Sequence, residues 1–255
     1  MISRQTIDFI RSLAHKKERE KAGCFVAEGE KLVLDLLKTT LVPMELYATE
    51  EGMASAETSR AGINAIRLSG KEMERISSFK NPSSLLALFR IPEAERISFD
   101  SLQGIHLVLD GVQDPGNLGT IVRTADWFGI TTIFCSAECA DLYNPKCVQA
   151  TMGALARVEV HYLNLLQFLA EAKENKIPVY GTFMEGENLF DSELEKDALV
   201  VMGSEGKGVS PELIPFLTKQ ISIPSYPEGN RELESLNVSV SAAIICAEFR
   251  RRLIP

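Results

Sequence analysis

The stretch IHLVLDGVQDPGNLGTIVRTADWFGITTIFCS, residues 105–136, decides the fold. IHLVLDG is a continuous apolar run that reads as a buried strand. TIVRTADWFG carries helical spacing, and ITTIFCS is a second apolar strand. Strand, helix and strand in that order form a βαβ unit, which sets the two strands parallel. The connecting loop has the glycines of a phosphate-binding turn, Gly111, Gly116 and Gly119. It lacks both GxGxxG and GK[ST] spacing, which argues against a dinucleotide-binding oxidoreductase and against a P-loop.

The alternation continues downstream. ARVEVHYL, IPVYGTF, ALVVMG and QISIPS read as strands. LLQFLAEAKEN and SLNVSVSAAIICAEFRRRL read as helices, PELIPFL as a short helix, and residues 144–155 as a loop leading into another short helix. Apolar strands alternating with helices predict an α/β domain, a parallel sheet with helices on both faces, whose ligands bind at the carboxyl ends of the strands. Upstream, CFVAEG, MELYAT, INAIRLS and SLLALFRI read as strands, with helices in EKLVLDLLKT and GKEMERISSF. This predicts a small mixed α/β unit over 1–96 and a larger domain over 97–255, divided within IPEAERISFDSLQG.

At 255 residues, 45% hydrophobic and 24% charged, the chain has the composition of a globular protein. No apolar run approaches the roughly 20 residues of a membrane span. MISRQTIDFIRSLAHKKEREK lacks the apolar centre of a secretory signal. Five cysteines without a CxxC pair predict free thiols in a reducing cytoplasm. Cys135 and Cys139 stand close in sequence and read as buried thiols. A net charge of −8 excludes a protein that coats nucleic acid through one broad basic field. A local cluster, Arg11, Lys16, Lys17, Arg19 and Lys21, reads either as a solvated helix face or as a nucleic-acid contact. His15, His106 and His161 have no metal-ligand spacing, so no metal is expected.

Three loops carry the candidate chemistry. Asn117 stands where an N-cap would, before a helix whose Leu118, Ile121, Val122, Ala125 and Phe128 form the buried stripe, with Gly129 at C′. Arg123 is off that stripe and shares a face with Gly119, where the missing side chain leaves room for a substrate backbone beside the guanidinium. An arginine there suits fork-like binding of phosphate oxygens; a capping asparagine and a surface arginine are the plainer alternative. In VVMGSEGKGVSPEL, Gly203, Gly206 and Gly208 exceed what a turn needs and suggest backbone open to a ligand, with Glu205 held in the turn. Ser210 and Pro211 read as N-cap and N1. Ser235, Asn237, Ser239 and Ser241 open the terminal helix, where small polar residues can cap it or line a pocket.

In this order, NLGTIVRTADWFG, VVMGSEGKGVS and ISIP…ESLNVSVSAAI resemble the SpoU (TrmH-like) branch of the SPOUT methyltransferases. NPKCVQATMGALARVEV resembles the segment between the first two, with Gln149 and Thr151 where many members carry arginine and serine. FVAEGEKLVLDLL and NPSSLLALF resemble the small RNA-binding domain that often precedes it. The resemblance implies a C-terminal trefoil knot, a homodimer, and transfer of a methyl group from S-adenosylmethionine to a ribose 2′-hydroxyl of RNA. Ribosomal and transfer RNA are both open, and the separate N-terminal domain favours ribosomal RNA. By motif position, Thr182, Gly203, Ile223 and Leu236 would contact the cofactor. Asn117, Arg123, Glu205 and Asn237 would form the catalytic neighbourhood. YPEGNRELE lengthens the turn before SLN relative to many relatives. The alternative is a noncatalytic RNA-binding or ribosome-assembly protein that retains the fold.

Overall fold

A computed structural model describes residues 2–57, 63–93, 97–99, 102–227 and 235–253. The chain divides into two compact units, Met1–Glu93 with Asp141–Ala156, and Ala94–Ala140 with Arg157–Pro255. Residues 94–96, within the proposed dividing segment, and 228–234, most of YPEGNRELE, lie outside the described residues.

The first unit opens with α1 (Arg4–Ser12) and α2 (Lys16–Ala22). It continues through β1 (Cys24–Glu28), α3 (Glu30–Leu36), β2 (Pro43–Ala48), α4 (Glu50–Glu57), β3 (Ala65–Arg67), α5 (Gly70–Ile76) and β4 (Leu85–Arg90). The sheet order is β1-β4-β2-β3, antiparallel except for the β2–β3 pair. Ile7, Ile10 and Leu13 pack with Tyr47, Met73, Leu86 and Leu88 in its core. Neither α1 nor α2 stands out in the sequence, because α1 carries few apolar positions and α2 is almost wholly charged. The structure also corrects the basic cluster: Arg19 is 2% exposed and belongs to the interior. It donates to the carbonyls of Leu13 and Ala14 at 2.7 and 2.9 Å and to Asp141.

At the other end of this unit two carboxylates shape one loop. Glu28, buried at the end of β1, accepts from the backbone N–H of Ser78 at 3.0 Å and from the hydroxyls of Ser77 and Ser78. Glu30 accepts from the hydroxyls of Ser55 and Ser84, each at 2.7 Å, and these bonds hold its carboxyl below the ordinary range. Between these anchors the loop presents Lys80 and Asn81 to solvent.

The second unit holds β5 (Ile105–Asp110), α6 (Pro115–Trp127), β6 (Thr132–Cys135), β7 (Glu159–Tyr162), α8 (Leu165–Glu174), β8 (Val179–Asn188), β9 (Ala198–Gly203), β10 (Lys219–Ser222) and α9 (Val238–Arg251). Between β6 and β7, α7 (Pro145–Thr151) packs with the first unit. The sheet is six-stranded in the order β10-β8-β9-β5-β6-β7, with every pair parallel. β5 is buried along its whole length, His106 and Asp110 included, as a central strand is when both faces of a parallel sheet are covered. Val108, Phe134, Phe168, Leu169, Leu199 and Val201 lie in its core, each contributing about 1.5–3 kcal/mol by leaving water. All five cysteines are buried, and none forms a disulfide with another. No described helix is long and apolar enough to cross a membrane.

Candidate active site

α6 begins earlier than the sequence suggests. Asp114 is the N-cap, accepting from the backbone N–H of Asn117 at 2.8 Å, and Pro115 opens the first turn. The Asp114–Pro115 pair was the legible signal, since proline at N1 follows a capping carboxylate without losing a needed donor. Asn117 therefore sits inside the first turn, and its side-chain amide is released from capping. Gly119 is buried while Arg123 is exposed, so the two do not form the open face expected of them. Among the described residues the Arg123 side chain makes no hydrogen bond or ion pair. α6 ends as expected at Gly129, with φ +66°; the N–H of Ile130 reaches Ala125 O at 2.8 Å and the N–H of Gly129 reaches Asp126 O at 3.1 Å, a Schellman motif.

The strand ends then bring distant loops together. Gly203 ends β9 beside Asp110 at the end of β5. The turn after it is closed by a Ser204–Gly208 bridge, with the N–H of Gly208 donating to Ser204 O at 2.9 Å. A β-carbon on Gly203 would overlap the backbone of Gly208 and Val209, so glycine is required there by the close approach of the returning chain. Beyond the turn, Ser210 N donates to Oδ2 of Asp110 at 2.7 Å, tying the loop back to the central strand. Ser210 and Pro211 do start a helix, but a 3₁₀ segment, Pro211–Phe216.

β8 departs from the expected simple strand. Against β10 its register jumps from Gly181 opposite Gln220 to Glu187 opposite Ile221, so residues 182–186 leave the ladder as a bulge. Such a bulge re-aims side chains beside a site. α9 begins at Val238 with Asn237 as its N-cap, the amide oxygen accepting from the N–H of Ser239 at 3.0 Å and of Val240 at 3.4 Å.

These pieces enclose a cavity of about 1000 Å³. Thr182 from the bulge, Gly203, Ile223 and Leu236 all line it, as does Glu205. Met202, Ile221, Val238 and Ile245 add an apolar wall, while the 203–208 turn adds backbone. Glu205 receives a hydrogen bond from Nδ2 of Asn117, and Oδ1 of Asn117 receives one from Nδ2 of Asn237 at 3.1 Å. The structure thus joins Asn117, Glu205 and Asn237 directly, while the exposed Arg123 side chain makes no hydrogen bond to them. The bulge residues Phe183 and Met184 also line the cavity and went unread in the sequence, because a register jump depends on the partner strand.

The bulged strand, the 203–208 turn and the start of the last helix thus place the candidate site at the carboxyl ends of a parallel sheet. The chain belongs to the SpoU rRNA Methylase family, which matches residues 104–247, and residues 4–87 match an MRM3-like substrate binding domain. It is 31% identical over 242 residues to the 23S rRNA (guanosine(2553)-2′-O)-methyltransferase RlmP of Bacillus subtilis, covering 94% of each chain. Among solved structures, a TrmH-family protein from Porphyromonas gingivalis superimposes with a TM-score of 0.87 at 40% identity, covering 99% of both chains. The S-adenosylmethionine-bound rRNA methyltransferase of Sinorhizobium meliloti superimposes with a TM-score of 0.86 at 28% identity, covering 100% of this chain and 97% of that one.

The cavity fits S-adenosylmethionine. Its volume is at the upper end of the roughly 300–1000 Å³ typical of small-molecule sites. Its apolar wall suits an adenine ring, the uncovered backbone at Gly203 suits hydrogen bonding without side-chain obstruction, and Glu205 offers negative charge to a sulfonium.

Proposed function

We propose that this protein transfers a methyl group from S-adenosylmethionine to a ribose 2′-hydroxyl of ribosomal RNA. The carrying observation is the cavity at the carboxyl ends of β8, β9 and β10, which holds the Gly203 backbone and the Glu205 carboxylate together. Thr182, Gly203, Ile223 and Leu236 hold the cofactor, largely through backbone groups. When bound, S-adenosylmethionine supplies an electrophilic methyl on a positively charged sulfur. The protein's task is then to bring the ribose oxygen into line with that methyl, and positioning of this kind accounts for most of such a rate enhancement.

Arg123 is suited to clamping the phosphate beside the target ribose. Its guanidinium stays charged at any working pH, so it acts as a fork for phosphate oxygens and not as a base. Ribosomal RNA is favoured by the first unit, whose carboxylate-anchored loop presents Lys80 and Asn81, and by the rRNA methyltransferases among the relatives. A noncatalytic assembly role would leave the joined Asn117, Glu205 and Asn237 without a task.

A homodimer belongs to the same proposal. α6 and α9 pack together and expose Trp127, at 84%, and Val240, at 48%, with Ala247 also exposed. An apolar face of this kind on paired helices fits a second copy of the chain. Sedimentation at the mass of two chains supports this, and the mass of one chain overturns it. Kinship with SpoU structures supports a trefoil knot in the last third of the catalytic unit, and tracing the chain in an experimental density map decides it. Five buried cysteines outside any disulfide support a cytoplasmic location; activity recovered with the membrane fraction of lysed cells would contradict it.

The direct test incubates the protein with methyl-labelled S-adenosylmethionine and ribosomal RNA, then hydrolyses the RNA in alkali. A 2′-O-methyl group blocks cleavage of the adjacent phosphodiester, so label in an alkali-resistant dinucleotide is expected. Label confined to mononucleotides would mean base methylation and overturn the assignment.

A further inference from the structure

His106 is a buried polar group of the second unit that methyl transfer does not use. It stands on β5, 4% exposed, and among the described residues neither Nδ1 nor Nε2 has a hydrogen-bond partner. The carbonyls of Thr132 and Gln103 lie near the ring, yet neither meets the geometry of a bond. Buried polar atoms are almost always paired, so two orphaned ring nitrogens point to something that bonds them. Burial holds the imidazole below its ordinary pKa, so at neutral pH it is uncharged, one nitrogen donating and the other accepting.

His106 lines a second cavity, of about 180 Å³, at the amino ends of β5 and β9, the opposite end of the sheet from Gly203. Strand alternation sets it on the same face of β5 as Val108, the face that α8 covers. Phe99, Leu102, Ile177, Pro178 and Leu199 supply an apolar wall, and Phe99 stacks on Phe168 with ring centroids 5.2 Å apart. Lys176 and Asp197 also border the cavity, both exposed and opposite in sign, so no net charge favours an anion or a cation. Asp197 is already engaged, its Oδ1 accepting from the Gly104 N–H at 2.6 Å. An apolar cavity of about 150 Å³ holds one benzene ring. This one has that scale, with a hydrogen-bonding group added to its wall.

We propose that this cavity binds a neutral monocyclic aromatic molecule bearing one hydroxyl, with the ring against Phe99, Leu102 and Ile177 and the hydroxyl bonded to His106. A hydroxyl donates to the accepting ring nitrogen or accepts from the other, so either tautomer of the imidazole serves. The site is separate from the cavity at the carboxyl ends of the strands and does not depend on methyl transfer.

The probe is phenol, titrated against the full chain and followed by its own NMR signals, with toluene as the same ring lacking the hydroxyl. Saturable phenol binding with a Kd on the order of 1 mM is expected, the scale of so small a ligand. His106→Leu removes unpaired polar atoms from the interior and should keep the fold. It should bind phenol about 3- to 10-fold more weakly, the worth of one hydrogen bond, and toluene at least as tightly as wild type does. Ile177→Phe, in the half-buried turn after α8, fills the cavity with a ring of the protein's own and should abolish binding of both probes. Phenol that binds all three proteins alike lies elsewhere, in the larger cavity or on the surface, and overturns the site. Absence of saturable binding to wild type well above the expected Kd would leave His106 to water alone and overturn it as well.

Discussion

Arg19 and Asp141, 122 residues apart, meet inside the first unit, with Nε of the arginine 3.2 Å from Oδ2 of the aspartate. The guanidinium is almost wholly buried, and the aspartate side chain is 15% exposed. The pair fastens the returning segment that carries α7 to the corner between α1 and α2. Removing one partner of such a pair strands the other charge in a poorly solvated place. Arg19→Met should therefore destabilise the first unit by about 3–5 kcal/mol, read as a shift of its urea unfolding midpoint. A loss under about 1 kcal/mol, the scale of an exposed pair, would show that the bridge is not what holds the segment.

Glu248 makes a different, pH-dependent bond. Buried on α9, it accepts from Arg251 at 2.7 and 2.8 Å and from Arg252 at 2.7 Å, and these guanidiniums, Arg251 first, hold its carboxyl down to about 2. Arg252 in turn donates to the carbonyl of Leu189 at 2.7 Å, so the cluster pins the end of the helix. A carboxyl depressed from 4.5 stabilises the fold fully above that value and loses the contribution as pH falls through about 2. Wild type should therefore melt above Glu248→Gln at neutral pH, with the gap in Tm closing as pH drops below about 4.5. A gap independent of pH would contradict the assignment.

Arg123 is exposed and unpaired among the described residues, so its removal should leave the fold intact, within about 0.5 kcal/mol. Arg123→Ala should abolish methyl transfer while binding S-adenosylmethionine like wild type. Arg123→Lys should recover only part of the activity, since an ammonium lacks the guanidinium's fork. A fully active alanine variant would remove the arginine from the reaction.

The sheet was legible because its strands are short apolar runs separated by turn residues, and β5, β6 and β9 fall where those runs lie. Helix ends were less legible. Asn117 read as a cap because it precedes the apolar stripe, yet Asp114 and Pro115 start the helix one turn earlier. Of α1 and α2 only a solvated helix face was offered, because packing of Ile7, Ile10 and the buried Arg19 stabilises them more than their own spacing does. The motifs pointed to Thr182, Gly203, Ile223 and Leu236, which line the cavity, but what joins the site could not be read. The bonds from Asn237 to Asn117 and from Asn117 to Glu205 span 120 and 88 residues, and the β8 bulge exists only in relation to β10.

The most direct measurement is a calorimetric titration of S-adenosylmethionine into wild type and into Gly203→Ala. The Gly203 backbone faces the cavity, and a β-carbon there would displace the turn that Gly208 closes. Saturable binding at one site per chain in wild type, lost by more than about 100-fold when the turn is displaced, is the predicted result. Equal binding by both proteins, or none by wild type even with ribosomal RNA present, would contradict a methyl-donor site at the ends of these strands.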